Sequence, residues 1–220
     1  MIQYILFDLD GTLTDSQEGI TKSVQYALDS IGIHEPDLKK LTRFIGPSLV
    51  YSFKEFYQLS DKQITTAVQK YRERFSKTGI FENHPYPGIP DLLAALKNKG
   101  VKMAIASGKP TVFVKQILDK FELSQYFDIA VGSRLDGSTS EKKDIINEVL
   151  TYWNHPSTDQ LLMVGDRKYD VIGAKKTGMP CVGVRFGFAE PGELEEHGAC
   201  YIADTVSDLK NYLMKVSTAS

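Results

Sequence analysis

The chain has 220 residues, of which 42% are apolar and 25% charged, and its formal net charge is −2. These values are typical of a globular protein of one or two domains, and they exclude disorder and the basic surface that nucleic acid requires. The apolar start, Ile2–Phe7, is interrupted at Asp8, so it is too short for a signal peptide or a membrane span. We expect a cytoplasmic protein with neither a nucleic-acid nor a membrane partner.

Short apolar runs predict five buried strands: Tyr4–Phe7, Val101–Ala106, Ile129–Val131, Leu161–Val164 and Cys181–Val184. Between them, helical spacing groups Leu92, Leu93 and Leu96, then Val114, Ile117, Leu118 and Phe121, then Ile145, Ile146, Val149, Leu150 and Trp153. Because strands and helices alternate, we predict an α/β fold, with a parallel sheet covered by helices on both faces.

The region 16–83 breaks this alternation and predicts an all-helical insertion. Its apolar residues form two helical stripes: Ile20, Val24, Ala27, Leu28 and Ile31, and Ile64, Ala67, Val68, Tyr71 and Phe75. The proline-rich segment His84–Pro90 marks the return to the core. We therefore predict a core domain of residues 1–15 and 84–220 with a helical cap domain of residues 16–83.

Two aspartates directly follow the first predicted strand. Asp8 and Asp10 are two residues apart, which in extended chain places both side chains on one side. A carboxylate can attack phosphorus, and a second carboxyl can transfer the leaving-group proton, so Asp8 fits a nucleophile and Asp10 an acid and base. Gly11 turns the chain, and Gly11 and Thr12 are candidate substrate contacts. An ordinary turn is the alternative interpretation.

Ser107, Gly108 and Lys109 follow the second predicted core strand and precede a helix. There the serine hydroxyl and the backbone amides could bind a phosphate oxygen, although plain turn chemistry explains the same residues.

A helix is predicted to start near Ser138, which has the spacing of a capping box with Glu141. At about 100° per residue, Lys142 points along the apolar face of this helix, whereas Lys143 points roughly 90° away. A buried lysine needs an anion, and a nucleophilic carboxylate or a phosphate would supply it. A surface lysine is the alternative.

Gly165 and Asp166 follow the fourth predicted strand, and Asp170 lies four residues further on. Carboxylate oxygens suit Mg²⁺, so Asp166 is the expected direct ligand, and Asp170 is better placed to hold waters or orient Lys142. Since ligands of open α/β sheets bind beyond the carboxyl ends of strands, we expect all four segments to share one site. The loop segments Gly183–Gly187 and Glu190–Gly192 lie near the carboxyl ends of the strands, where they either border the site or simply connect, and simple connection is the preferred interpretation.

This set of motifs resembles the haloacid dehalogenase superfamily of phosphatases, and Asp8–Ser16 together with Phe44–Ser48 looks most like its phosphoglycolate-phosphatase branch. The resemblance implies a Rossmann-like core and a cap of four or five helices. It also implies Mg²⁺ held by Asp8, the backbone carbonyl of Asp10 and Asp166, with Ser107 and Lys142 holding the phosphoryl group. The third motif, Glu141–Asp144, departs from the Lys-Pro-x-Pro of many members, so the helical-face argument selects Lys142.

Within the cap, Arg43 and Gly46 fall in a segment that resembles the family's substrate-specificity loop, and a solvated arginine is the alternative for Arg43. Lys109 is a further candidate to contact the substrate.

The expected function is Mg²⁺-dependent hydrolysis of a small phosphorylated metabolite through an aspartyl phosphate, with the cap closing over the site. Phosphoglycolate, a nucleoside monophosphate, pyrophosphate and a sugar phosphate stay open as substrates, and the protein is expected to be a monomer or homodimer. One alternative is a phosphosugar mutase of the same fold. The other is a non-catalytic receiver-type module, which the lack of an acid at the tip of strand three, Gly132–Arg134, disfavours.

Overall fold

The computed structural model of the chain describes residues 1–135 and 141–219. The chain divides into two compact units, one of Met1–Thr14 and Pro85–Ser220 and the other of Asp15–His84. The strands, in chain order, are β1 (Tyr4–Phe7), β2 (Thr14–Asp15), β3 (His84–Pro85), β4 (Lys102–Pro110), β5 (Ile129–Ser133), β6 (Leu161–Gly165), β7 (Cys181–Val184) and β8 (Tyr201–Ala203). The α-helices, in chain order, are α1 (Gln17–Asp29), α2 (Leu49–Tyr57), α3 (Asp61–Lys77), α4 (Ile89–Asn98), α5 (Thr111–Lys120), α6 (Lys142–Tyr152), α7 (Lys168–Lys176), α8 (Glu193–His197) and α9 (Val206–Val216).

The first unit is built on a six-stranded parallel sheet of order β5-β4-β1-β6-β7-β8. Counted along the chain within this sheet, the order is 3-2-1-4-5-6, which is that of the doubly wound dinucleotide-binding folds. Ile5, Leu6 and Phe7 of the central strand β1 are fully buried, as expected for a strand with neighbours on both sides and helices on both faces. The predicted α/β fold is confirmed.

All five predicted core strands are present, and the structure adds β8 at one edge of the sheet. With only three residues, Tyr201–Ala203, β8 is too short to give a clear apolar run. The second predicted strand is also longer than its apolar run, because β4 continues through Ser107 to Pro110.

The second unit is helical between its ends. Besides helices α1, α2 and α3, it contains two 3₁₀ helices: Leu38–Phe44 lies between α1 and α2, and Gly79–Phe81 follows α3. The stripe predicted on α3 is buried throughout, and the stripe on α1 is buried up to Leu28, whereas Ile31 lies beyond the helix end and is half-buried. Hydrophobic spacing therefore located both of these helices.

Across residues 1–135 and 141–219, the helices are all too short or too polar to cross a bilayer.

Candidate active site

The site forms where the strand order of the main sheet reverses, between β1 and β6. Asp8 follows β1 and Asp166 follows β6, and the two strands are neighbours in the sheet. The backbone N–H of Asp8 donates to the carbonyl of Val164 at 2.9 Å, so the hydrogen bonding between β1 and β6 continues as far as Asp8. The carboxyl ends of neighbouring parallel strands thus bring Asp8 and Asp166 together from positions far apart in the chain.

Three buried carboxylates cluster at this reversal point. Asp8, Asp166 and Asp170 each offer an oxygen within 4.8 Å of the others, and they are 4%, 0% and 1% exposed. Burial of charge is costly unless the charges are paired or bind a metal ion. The cluster therefore requires cations around it.

Lys142, in the first turn of α6, supplies one of those cations. Its Nζ lies 3.1 Å from Asp8 Oδ1 and 2.7 Å from Asp170 Oδ1, and it donates to the carbonyl of Ala106 at 2.9 Å. The side chain is only 8% exposed, so the inward orientation predicted from the helical face is confirmed. Burial lowers the pKa of Lys142, but Asp170 and Asp8 together outweigh this effect and raise the pKa above its usual value, so the ammonium stays charged.

The helix itself begins later than its sequence suggests. Glu141 occupies the N-cap position of α6, whereas the capping-box spacing placed the cap at Ser138. Ser138 lies outside the described residues. Lys142 is therefore the first residue of the helix, where its side chain can reach the strand ends.

A glycine on α7 makes room for the lysine. A Cβ atom at Gly173 would lie 2.5 Å from Cγ and 2.8 Å from Cβ of Lys142, which is closer than side chains tolerate. The lack of a side chain at residue 173 lets α6 and α7 approach at the height of the site.

Replacing Gly173 with alanine tests this packing. In an ordinary helix interior the change stabilises by about 1 kcal/mol. Here we expect lower stability and reduced turnover, because the new methyl group must displace the stem of Lys142. Denaturant unfolding together with phosphate-release assays checks the sign of both effects. A more stable variant with unchanged activity would show that the approach of the two helices is unimportant.

Asp166 is held by main-chain and side-chain donors from two other segments. The N–H of Phe188 donates to Asp166 Oδ2 at 2.8 Å, and the Thr12 hydroxyl donates to Oδ1 at 3.5 Å. Gly11, at φ +82°, and Gly187 both pack so closely on Asp166 that a Cβ at either position would overlap its side chain. Thr12 contacts the expected metal ligand Asp166, and its predicted contact with substrate stays a prediction.

The interpretation of the loop after β7 as a simple connection is wrong. Gly187 and Phe188 border the site, because β7 lies beside β6 and its carboxyl end opens on the same edge of the sheet. The strand-end argument that located the other segments applies equally here. The contribution comes from a backbone amide, which carries no side-chain signature in the sequence.

Asp10 is paired with Lys109. Lys109 Nζ lies 3.1 Å from Asp10 Oδ2, and both side chains are buried. The other oxygen, Asp10 Oδ1, is buried and accepts no hydrogen bond within residues 1–135 and 141–219. That oxygen is thus available for a proton from substrate or water, in keeping with the acid and base role predicted for Asp10.

Ser107 lies within β4 rather than after it, which corrects its predicted position. Ser107 pairs with Gly132 of β5, but the next pair is Pro110 with Ser133, so Gly108 and Lys109 form a bulge. The bulge lets Lys109 turn toward Asp10 while its N–H donates to Ser107 Oγ at 3.3 Å. Ser107 itself is 1% exposed. Substrate binding by Ser107, Gly108 and Lys109 stays a prediction.

Asp170 is engaged through both oxygens. Oδ1 pairs with Lys142, and Oδ2 accepts from the N–H of Arg167 at 3.1 Å. These contacts fit the predicted role of orienting Lys142 rather than binding an ion directly.

The charges of the cluster fit a divalent cation. Burial raises the pKa of Asp166 well above its usual value, and Asp170 and Asp8 add to the effect. Burial also raises the pKa of Asp170, which Lys142 lowers and Asp8 raises, leaving it at about 6. Three carboxylates face one ammonium, so an excess of negative charge is buried among hard oxygen donors of the kind that Mg²⁺ prefers.

These pKa values predict how stability depends on pH. Because the Asp170 pKa is higher in the folded chain, the folded state binds more protons than the unfolded state between the ordinary aspartate pKa and about pH 6. The stability contributed by the protonated group is present at low pH and is lost as the pH rises through about 6. We expect Mg²⁺ to raise the melting temperature more at about pH 7.5 than at about pH 5, since protons bound to the carboxylates of the cluster reduce the negative charge that attracts the cation. Thermal unfolding at both pH values, with Mg²⁺ and with EDTA, checks this; an equal Mg²⁺ effect would contradict it.

Arg43 and Gly46 belong to the second unit. The Arg43 guanidinium lies over the ring of Phe56, 4.4 Å from its centroid, and 5.4 Å from that of Tyr57. Gly46 adopts φ +105°, a conformation that favours glycine. Their predicted contact with substrate stays a prediction.

Comparison with known proteins agrees with this architecture. A family model described as haloacid dehalogenase-like hydrolase matches residues 5–184, and the chain belongs to this family. It is an enzyme of the phosphatase class, and the receiver-type alternative is wrong. The chain is 42% identical to a protein of Pseudomonas aeruginosa named 5'-nucleotidase, over 95% of this chain and 94% of that protein.

More distant relatives carry other names. The chain is 33% identical to the tyrosine-protein kinase PtkA of Mycobacterium tuberculosis, over 96% of this chain and 72% of that protein. It is 31% identical to the phosphoglycolate phosphatase of Aquifex aeolicus, over 86% and 87%. The crystal structure of a predicted phosphatase from Clostridium acetobutylicum superposes with a TM-score of 0.95 at 47% identity, covering 98% of this chain and all of that one.

Proposed function

We propose that this enzyme hydrolyses a small phosphate monoester, foremost a nucleoside 5'-monophosphate, through an aspartyl phosphate on Asp8 with Mg²⁺ as cofactor. The observation that carries the proposal is Lys142, which contacts Asp8 and Asp170 at once inside the buried carboxylate cluster. A buried ammonium in this position can hold Asp8 and also neutralise phosphoryl oxygens. A surface lysine or a plain turn does neither.

In the proposed first step, a carboxylate oxygen of Asp8 attacks phosphorus, and the bond from phosphorus to the ester oxygen breaks. Asp10, whose Oδ1 lacks a partner among the described residues, gives its proton to the departing oxygen. Asp10 then takes a proton from the water that attacks the aspartyl phosphate, which releases inorganic phosphate and restores Asp8. The proton thus returns to Asp10 at the end of each cycle.

Other residues bind and orient the phosphoryl group in this proposal. Lys142 and the Ser107 hydroxyl contact its oxygens, together with the backbone amide of Gly108. The N–H groups of Gly11 and Thr12 donate to the carbonyls of Thr14 and Leu9. Asp8, the backbone carbonyl of Asp10 and Asp166 would hold Mg²⁺, and Asp170 would orient Lys142. When bound, Mg²⁺ offsets the negative charge of the carboxylates and the phosphate so that the two anions can approach.

The choice of substrate rests on similarity. The 42% identical relative is named for 5'-nucleotide hydrolysis and aligns over nearly the full length of both chains. The relative named phosphoglycolate phosphatase is less similar, at 31% identity. Phosphoglycolate is therefore the second choice.

A panel of phosphate esters tests the proposal. We expect nucleoside 5'-monophosphates to give higher kcat/KM with Mg²⁺ than phosphoglycolate, pyrophosphate or hexose phosphates, measured by released phosphate. A clear preference for phosphoglycolate or a sugar phosphate would contradict the proposed substrate. Isomerised hexose phosphate without free phosphate would indicate the mutase alternative instead.

A further inference from the structure

Glu193, in the first turn of α8, collects four donors although it lies outside the carboxylate cluster. Its Oε1 accepts from Arg167 Nε at 2.9 Å and from the N–H of Lys168 at 2.7 Å. Its Oε2 accepts from Arg167 Nη2 at 3.4 Å and from the N–H of Glu190 at 3.2 Å. Glu193 is 6% exposed and Arg167 is 5% exposed. The carboxylate is therefore fully engaged inside the protein.

These donors belong to two segments that meet at Asp166. Arg167 and Lys168 continue the turn that carries Asp166 at the end of β6. Glu190 belongs to the loop after β7, whose Phe188 N–H donates to Asp166 Oδ2 at 2.8 Å. Glu193 thus ties together the backbone that carries Asp166 and the backbone that orients its carboxylate.

A contribution to stability does not by itself explain the buried ion pair of Arg167 and Glu193. Replacing a buried ion pair by well-packed apolar groups is often neutral or stabilising, because both charges lose their hydration. Two of the bonds, however, go to backbone N–H groups of the segments around Asp166. Such bonds fix the relative position of those segments. In other metal sites, residues that hydrogen-bond to the metal ligands orient the ligands in the same way.

We propose that Glu193 is a positioning residue that fixes the orientation of Asp166 and thereby sets the affinity of the site for a divalent cation. This inference rests on the proposed function, in which Asp166 binds Mg²⁺. The chain of contacts runs from Glu193 through Arg167 and Lys168 to the backbone of Asp166, and through Glu190 to the loop of Phe188. Loss of the contacts with Arg167 and Lys168, or of the contact with Glu190, would let the Asp166 carboxylate rotate away from Asp8.

Isothermal titration of the metal-free protein with Mg²⁺ tests this without any turnover. Glu193→Gln keeps the size of the side chain and one acceptor oxygen but removes the charge that pairs with Arg167. We expect its Mg²⁺ affinity to fall about 10- to 100-fold, the range seen when partners of metal ligands are removed. Activity should fall at low Mg²⁺ and recover at high Mg²⁺. Glu196→Gln, on the exposed side of the same short helix, is the matched control and should bind Mg²⁺ like the wild type.

A second variant covers the case in which Glu193→Gln fails to fold. Arg167→Lys preserves the positive charge beside Glu193 but loses the two-point contact, so we expect a weaker loss of Mg²⁺ affinity in the same direction. Wild-type Mg²⁺ affinity in whichever of the two variants folds would overturn the inference, even if its melting temperature falls. Wild-type protein that binds no Mg²⁺ would overturn the proposed function and this inference with it.

Discussion

Replacing Asp8 with asparagine should lower kcat for phosphate release by roughly 10⁴- to 10⁶-fold, the size of loss typical when a catalytic nucleophile is removed. The amide has the shape of the carboxylate but cannot attack phosphorus. Asp8 also raises the pKa of Asp166 and of Asp170 by charge repulsion. Without the charge of Asp8, the repulsion among the buried carboxylates of the metal-free protein is weaker. We therefore expect the inactive variant to keep the wild-type melting temperature in EDTA, or to exceed it.

The matched control for this variant is Asp159→Asn. Asp159 is exposed and precedes β6, at the end of that strand opposite to the site. It should retain full activity and stability. Retention of activity by Asp8→Asn, or loss of activity only through unfolding, would contradict the assignment of Asp8.

Replacing Lys142 with methionine should damage both stability and activity. The change leaves Asp8 and Asp170 buried without their shared cation, and breaking a buried ion pair costs about 3–5 kcal/mol. We expect that loss in the free energy of unfolding, measured in denaturant at neutral pH with EDTA. Turnover should fall by about 10²- to 10³-fold, since a charge that stabilises the transition state is gone.

A double variant separates the two roles of this lysine. Adding Asp170→Asn to Lys142→Met removes one of the unpaired charges, so part of the lost stability should return while activity stays low. Lys143→Met, which changes the exposed neighbouring residue, is the control and should behave as wild type. Wild-type stability and turnover in Lys142→Met would contradict the central role given to its ammonium group.

Much of this site could be predicted because it is built from strand ends and one helix face. Apolar runs located β1 and β6, and their ends carry Asp8 and Asp166. Helical geometry selected Lys142 over its neighbour Lys143 without any knowledge of contacts. Each of these signals is local in the sequence, and the parallel sheet brings them together at one edge.

The parts that escaped prediction depend on backbone geometry or on contacts between distant residues. The Phe188 amide and the bonds of Glu193 act through main-chain groups that every residue possesses. The bulge after Ser107 ends the apolar run while the strand continues, so no local pattern indicates that Lys109 pairs with Asp10. The short edge strand β8 is formed by pairing with β7 rather than by a clear pattern of its own.

The most direct test of this account is to trap the phosphoryl group on the enzyme. Acid quenching during turnover of a nucleoside 5'-monophosphate with Mg²⁺, followed by digestion and mass spectrometry, should find a phosphoryl group on Asp8. The same treatment of Asp8→Asn should find none. A phosphoryl group on any other residue, or full turnover by Asp8→Asn, would contradict the account.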